Sequence, residues 1–318
     1  MTNWWKVIAL SALAQAATRQ HVMMDVSNPV IMRVDSVTAR TQLQASIAQD
    51  GGSRVIRTYE ALPFIAAQLS PQLMLQLSSD VAYMDPVVRM HKLHSEQKNT
   101  PSWGLVRTSQ KGPYDKAHTS YYYPSSAGNG TTVYVIDTGI QVEHSDFEGR
   151  ASMMPLKLIP GEEDKDYDGH GTHVAGTIAS KTYGIAKQAR VVGVKALDWE
   201  GSGYDSDIIK GIDAVVRYKQ HHPDEQIIIN MSIGGNKSRA VNDAVDIAFA
   251  HNIVVVVASG NEGQDACRTS PASARRAFSV SAITKTDTMP YWSNWGKCVQ
   301  IFAPGDNILS LTLDPSSK

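Results

Sequence analysis

The sequence has no excess of charge of either sign: 30 basic residues stand against 31 acidic ones, a net charge of −1. That balance excludes the electrostatic footprint of a nucleic-acid or anionic-membrane binder. Past its first residues there is no apolar run long and uncharged enough to cross a membrane as a helix. Cysteine is scarce, with Cys267 and Cys298 alone. In an oxidising compartment they close one surface loop, worth about 3 kcal/mol on the loop-entropy view; two buried free thiols are the alternative. Internal repeats and low-complexity tracts are missing as well. What remains is a chain of 318 residues, 42% apolar, with enough core for about two domains.

What is present begins with Lys6, a short apolar run over residues 7–14, and the small residues Ala14, Gln15, Ala16 and Ala17. A basic start, a short apolar stretch and an A-x-A site predict a signal peptide over residues 1–17 and a secreted protein, an N-terminal amphipathic helix being the alternative. Residues 28–90 then read β-α-β-β-α-β. Strand-like runs cover 30–34, 54–59, 64–69 and 81–84. Leu43 and Ile47, four apart, mark a helix over 38–48. Gly51 and Gly52 break it, and Ser70 with Pro71 supplies the N-cap and first turn of a second helix. Two helices on one face of a four-stranded antiparallel sheet fit this order.

Residues 91–100 are polar and without a period, and read as a linker. From Trp103 onward, β-rich runs at 132–136, 191–194, 227–230 and 253–258 alternate with helical ones at 176–180, 204–217 and 240–250. Strands apolar throughout and separated by helices predict a parallel sheet covered on both faces. The basic run from Arg217 to His222 precedes Pro223 and reads as a solvated helix end.

In such a sheet, function gathers beyond the carboxyl ends of the strands. Asp137 stands there, after Val133-Tyr134-Val135-Ile136, although an Asp capping a turn is common in that place. The string Gly169-His170-Gly171-Thr172-His173-Val174-Ala175-Gly176 presents an imidazole at a helix start between two glycines. A zinc reading of His170 and His173 lacks a third ligand. The acidic run Asp164-Lys165-Asp166-Tyr167-Asp168-Gly169 imitates the start of a calcium loop, but Ala175 occupies the position of its closing Glu. Asn230-Met231-Ser232-Ile233-Gly234-Gly235 and Ala258-Ser259-Gly260-Asn261-Glu262-Gly263 each follow a strand and, taken singly, read equally as turns.

Together and in this order, the four strings closely resemble the subtilase family in its proteinase K-like branch, over residue 103 to the C-terminus. The preceding domain resembles that family's inhibitory propeptide, by its pattern and by residues 61–70 leading into Val81-Ala82-Tyr83. The resemblance implies a three-layer α/β fold, a mostly parallel subtilisin-like sheet with helices on both faces, preceded by a small α+β ferredoxin-like propeptide domain. It implies a signal peptide over 1–17, a propeptide over 28–90, a linker with the processing site over 91–100, and a catalytic domain over 101–318.

It further implies that Asp137 orients His170, that His170 serves as general base and then acid, and that the Asn261 amide donates to the oxyanion. Gly201-Ser202-Gly203 and Ser232-Ile233-Gly234 would sandwich an extended substrate, and Ala258, Ser259 and Gly260 would line the pocket before the cut. Those small wall residues suit apolar or aromatic side chains, whereas Glu262 at the rim would favour a basic one. The resemblance pairs Cys267 with Cys298. The partners implied are protein or peptide substrates and the chain's own propeptide domain, with no nucleic acid, no membrane and a monomeric state.

Two departures stand out. The family's Gly-Thr-Ser-Met-Ala string follows the segment matched by Phe302-Ala303-Pro304-Gly305 through Ser310, and these 318 residues do not contain it. Ser310, Ser316 and Ser317 belong to the approach to that string, and Ser259 to the pocket wall. The expectation is therefore a fragment of a zymogen, inactive as an endopeptidase and weakened in its second domain. A shortened relative acting in trans as an inhibitor or folding chaperone is the alternative. Second, the position where relatives often place a calcium-binding Asp is Thr284 here, so no cofactor is certain and calcium is doubtful.

Overall fold

The computed structural model describes residues 29–77, 81–87 and 95–314. The chain divides into two units, Met1–Lys92 and Leu93–Lys318. The expected signal peptide and residues 91–94 lie outside the described residues.

In the first unit, serines open both helices. Ser36 Oγ accepts from the Ala39 amide at the start of α1 (Val37–Gln49), and Ser70 Oγ from the Leu73 amide at the start of α2 (Pro71–Leu77). The strands are β1 (Val30–Arg33), β2 (Arg54–Thr58), β3 (Phe64–Gln68) and β4 (Tyr83–Pro86). They form one sheet in the order β2-β3-β1-β4, each neighbouring pair antiparallel. The two-residue period of the strands turns Val30, Met32, Ile65 and Ala67 to one face, where Leu43 and Ile47 of α1 and Leu73 and Leu77 of α2 cover them. The last strand begins two residues later than its sequence suggests, because Val81 packs against this core ahead of the ladder.

The second unit opens with β5 (Ser95–Gln97), α3 (Trp103–Thr108) and β6 (Tyr121–Tyr123). Where the sequence reads as a structureless linker, β5 pairs antiparallel with β6, and the Gln97 side chain donates to the Thr182 carbonyl at 2.9 Å. Ladder bonds hold this strand and no apolar period does, so periodicity does not reveal it. The Tyr121 hydroxyl anchors β6 by donating to the Ile185 carbonyl, and the buried Lys187 ammonium lies 5.5 Å from the Tyr121 ring centre.

The remaining elements are β7 (Thr131–Asp137), β8 (Ala151–Met153), α4 (His170–Ala179), β9 (Arg190–Lys195), α5 (Asp205–His221), β10 (Gln226–Met231), β11 (Gly235–Asn236), α6 (Arg239–Ala250), β12 (Val254–Ala258), β13 (Thr269–Ser270), β14 (Phe278–Ile283) and β15 (Ile301–Pro304). Seven strands form one sheet, in the order β15-β14-β12-β10-β7-β9-β8, and all six neighbouring pairs are parallel. β11 and β13 form a separate antiparallel pair.

Successive residues of β7 serve opposite cores. Val133 and Val135 pack with Ala175 and Ala179 of α4, while Tyr134 and Ile136 pack with Ile212 and Val215 of α5 and Val245 and Ala248 of α6. Burial on both faces is why these strands read as unbroken apolar runs. The helix read at 204–217 continues to His221. Lys219 in its last turn is buried, not solvated, and its ammonium caps the helix end by donating to the carbonyls of Pro223 and Glu225.

Candidate active site

Asp137 is the last residue of β7 and has no exposed surface. Its Oδ1 accepts from the Thr138 amide at 2.8 Å and lies 2.7 Å from Nδ1 of His170. Its Oδ2 has no hydrogen-bond partner among the described residues, so the carboxylate's charge is little dispersed. His170 is the first residue of α4, and its amide donates to Oδ1 of Asp168 at 2.9 Å. The two flanking glycines do different jobs. Gly169 takes φ +104° as the N-cap, in the region that disfavours side chains. Gly171 lets the helix start abut the turn after Asp137, where any Cβ would strike the Gly139 carbonyl oxygen.

The imidazole is held above its ordinary pKa of 6.5, first by its hydrogen bond to Asp137 and then by the negative charges of Asp137, Asp168 and Asp166, against the opposing effect of burial. With Nδ1 committed to a carboxylate, Nε2 is the nitrogen left to take a proton. His173, one turn along the helix, sends Nε2 to the Ile308 carbonyl at 3.1 Å, so the two histidines have separate partners.

His170 stands where two clefts meet. One, of about 740 Å³, is lined by Gly201, Ser202 and Gly203 on one side and by Ser232, Ile233 and Gly234 on the other. The second, of about 520 Å³, is lined by Ala258, Ser259, Gly260 and Asn261, together with Ser232 and the apolar Leu105, Val174 and Ile308. Every catalytic or substrate-binding residue expected from the sequence thus borders one of two adjoining clefts, except Asp137, which lies behind His170.

Asn261 is exposed at the head of the turn that follows β12. That turn is held by a residue the sequence reading missed. Asn294 has no exposed surface. Its Oδ1 accepts from the amides of Glu262 (3.1 Å) and Gln264 (2.9 Å), and its Nδ2 donates to the Ser259 carbonyl (2.9 Å) and to Oε2 of Glu262 (2.6 Å). Gly260, at φ +106°, has no room for a Cβ because Asn294 packs against it. The Glu262 carboxylate, read as a rim charge, therefore has one oxygen turned inward onto Asn294. Buried amides in turns follow no period, and a polar residue in the turn Ser293-Asn294-Trp295-Gly296 is the only signal the sequence offers. Thr138, Asp166 and Thr172, all buried around the start of α4, were missed for the same reason.

The pairing of Cys267 with Cys298 is present as a disulfide. Thr284 meets the hydroxyls of Thr286 and Thr288, and the neighbouring Asp287 is committed to Arg107 at 2.8 Å, a set that does not suit strong calcium binding. Further on, the chain returns to the site. Ser310 Oγ donates to the His173 carbonyl at 2.7 Å. Buried Leu311 packs beside Gly176, and Leu313 beside Gly169, so residues 310–313 run along α4 toward its N-terminus and His170.

Comparison with known proteins agrees with this geometry. Residues 128–318 match the sequence model of the subtilase family, Peptidase S8. Cerevisin of Saccharomyces cerevisiae is 49% identical over 227 residues, which cover 68% of this chain and 35% of cerevisin. A subtilisin-like serine protease of Rhodotorula mucilaginosa, Rho m 2.0101, is 50% identical over 214 residues, 65% of this chain and 62% of that protein. Among solved structures, a cold-adapted subtilisin-like serine proteinase superposes with a TM-score of 0.62 at 38% identity, over 69% of this chain and 77% of that one. The chain thus spans less than two thirds of the length of these two curated relatives. A match over more than half its length, on a parallel sheet that delivers Asp137 and His170 to one another, establishes that the chain belongs to the subtilase family.

Proposed function

We propose that this chain is part of a serine endopeptidase, made as a zymogen and exported, that cleaves protein substrates through an acyl-enzyme. The observation that carries this reading is the 2.7 Å contact between buried Asp137 and His170, with residues 310–313 running toward that pair along α4. Asp137 orients the imidazole and stabilises its charged form. His170 takes the proton of the nucleophile and later gives it to the leaving amine, and the Asn261 amide donates to the tetrahedral oxyanion. The nucleophile is a serine of the kind the family carries in a Gly-Thr-Ser-Met-Ala string, and a chain without that string does not cleave. The apolar cleft beside Val174 and Ile308 suits the helix that such a string opens in the resembling family.

An extended substrate lies between residues 201–203 and 232–234 as an added strand, and the small wall formed by Ala258, Ser259 and Gly260 admits apolar or aromatic side chains. The first unit, residues 28–90, templates folding and then inhibits. Its release by a cut ahead of Ser95 is supported by β5, whose strand is bonded into the second unit. Export rests on residues 1–17, and the enzyme acts as a monomer. A second reading, a chain that inhibits or chaperones a relative in trans, is favoured by the separate core of the first unit.

The coding sequence past Lys318 and a peptide-hydrolysis assay test these readings together. A product continued through the serine string should cleave, and should lose cleavage on His170→Ala. Hydrolysis by the 318-residue chain that His170→Ala abolishes would overturn the proposal. A transcript that stops after Lys318 would move the assignment to inhibition in trans.

A further inference from the structure

The acidic run that imitates a calcium loop has a different task in the fold. Asp166, 4% exposed, places one carboxylate under five hydrogen bonds. Its Oδ1 accepts from Thr138 Oγ1 (2.8 Å) and from the amides of Gly169 (2.8 Å) and Asp168 (3.1 Å). Its Oδ2 accepts from the amide (2.9 Å) and hydroxyl (2.6 Å) of Thr172. A carboxylate has about four lone-pair directions, and these donors use them all, which leaves none for a cation.

Thr138 carries the connection onward. Its hydroxyl accepts from the Gly171 amide at 2.9 Å while donating to Asp166, and its own amide donates to Oδ1 of Asp137. Thr138 and Thr172 have no exposed surface. Gly169, the N-cap of α4, has no side chain to satisfy the first amides of the helix; Asp168 takes the His170 amide, Thr138 that of Gly171 and Asp166 that of Thr172, and the negative charges suit the helix dipole. The strand end that bears Asp137 and the helix turn that bears His170 are therefore clamped together by Asp166 and Thr138, independently of the bond between Asp137 and His170 themselves.

We propose that Asp166 is a positioning residue which, through Thr138 and the first turn of α4, sets the distance and angle between Asp137 and His170. The proposal rests on reading that pair as the working dyad. Its test needs a folded second unit but no nucleophile, so a chain that cleaves nothing still decides it. The measurement is the NMR titration of the His170 ring, whose raised pKa reports its contact with Asp137. The other carboxylates that act on the ring are Asp168 and Asp166.

Thr138→Val removes the link without removing a charge. It should move the His170 titration back toward the ordinary value of 6.5, while Thr138→Ser, which keeps the hydroxyl, should titrate as the parent does. In the cleaving product, Thr138→Val should lower kcat about 10–100-fold with KM nearly unchanged, the cost of a small misplacement. The acid limb of its pH profile should shift to lower pH. If Thr138→Val does not fold, as judged by the His144 and His173 signals, Thr138→Ala serves instead, without the bulk of the valine. A parental His170 titration in either folded variant overturns the proposal and reduces Asp166 to a helix cap.

Discussion

Asn294 belongs to no helix or strand, yet its amide uses both oxygen lone pairs and both N–H groups on the turn that carries Asn261. Truncation leaves the Glu262 and Gln264 amides and the carbonyl of buried Ser259 without these partners. Asn294→Ala is expected to cost about 1–3 kcal/mol, read as a lower urea midpoint at unchanged slope. Asn294→Asp should cost more, because it sets a second carboxylate against Glu262. His170 supplies a prediction of a different kind. Its folded pKa is raised above 6.5, so the stability it contributes is complete below pH 6.5 and is lost as pH rises through the folded value. The difference in melting temperature between the parent and Asp137→Asn should shrink across that window, and a difference constant with pH would contradict the assignment. Activity of the cleaving product should run the opposite way, rising as His170 loses its proton. At this scale the sequence was legible where chemistry is displayed on a strand end or in a glycine-flanked string. It was silent where a buried polar residue serves another residue, as Asn294 and Asp166 do.

At the scale of elements, α4 shows what local reading misses. The helical run read from propensity begins only at Gly176, although the glycine-flanked string marks a helix start at His170, where the helix does begin; Asp168, Thr138 and Asp166 satisfy the amides of that first turn. The central strands were plain because both faces of the sheet are buried, whereas β5 has no apolar period at all. Gly176 is the point where a later segment crosses the helix. An alanine there gains about 1 kcal/mol of helix propensity, but its Cβ would stand 2.5 Å from Ser310 Oγ and 2.7 Å from Leu311 Cγ. The crowding outweighs the gain, and Gly176→Ala is expected to destabilise the second unit by about 1–2 kcal/mol net. Faster amide exchange confined to residues 308–313 and the facing turn of α4 would locate the damage; a stabilised variant would show that the segment is free to move aside.

At the scale of the whole molecule, a single covalent tie supplements noncovalent packing. The disulfide spans 31 residues, from just after the Asn261 turn to just before β15. On the loop-entropy view, replacing both Cys267 and Cys298 by serine should cost about 3–4 kcal/mol, measured by denaturation against the parent under oxidising conditions. The first unit, expressed by itself, is expected to fold around its own core of Val30, Met32, Leu43, Ile47 and Ile65 and to inhibit the cleaving product when added in trans. The succession of its strands and helices along the chain was legible from period and caps.

The strand order of the large sheet has a kinetic consequence. β7 lies between β9 and β10, and its Thr131 pairs with Gln226, so the centre of the sheet forms only after long loops have closed. Parallel pairing at such separations bears its entropy cost before the contacts reward it, which makes the folding barrier high. A barrier that slows entry also slows escape when the interactions that follow it are strong. For an endopeptidase of the kind proposed, long residence in the folded state is protection from other copies of itself, measured as a half-life and not as an equilibrium constant.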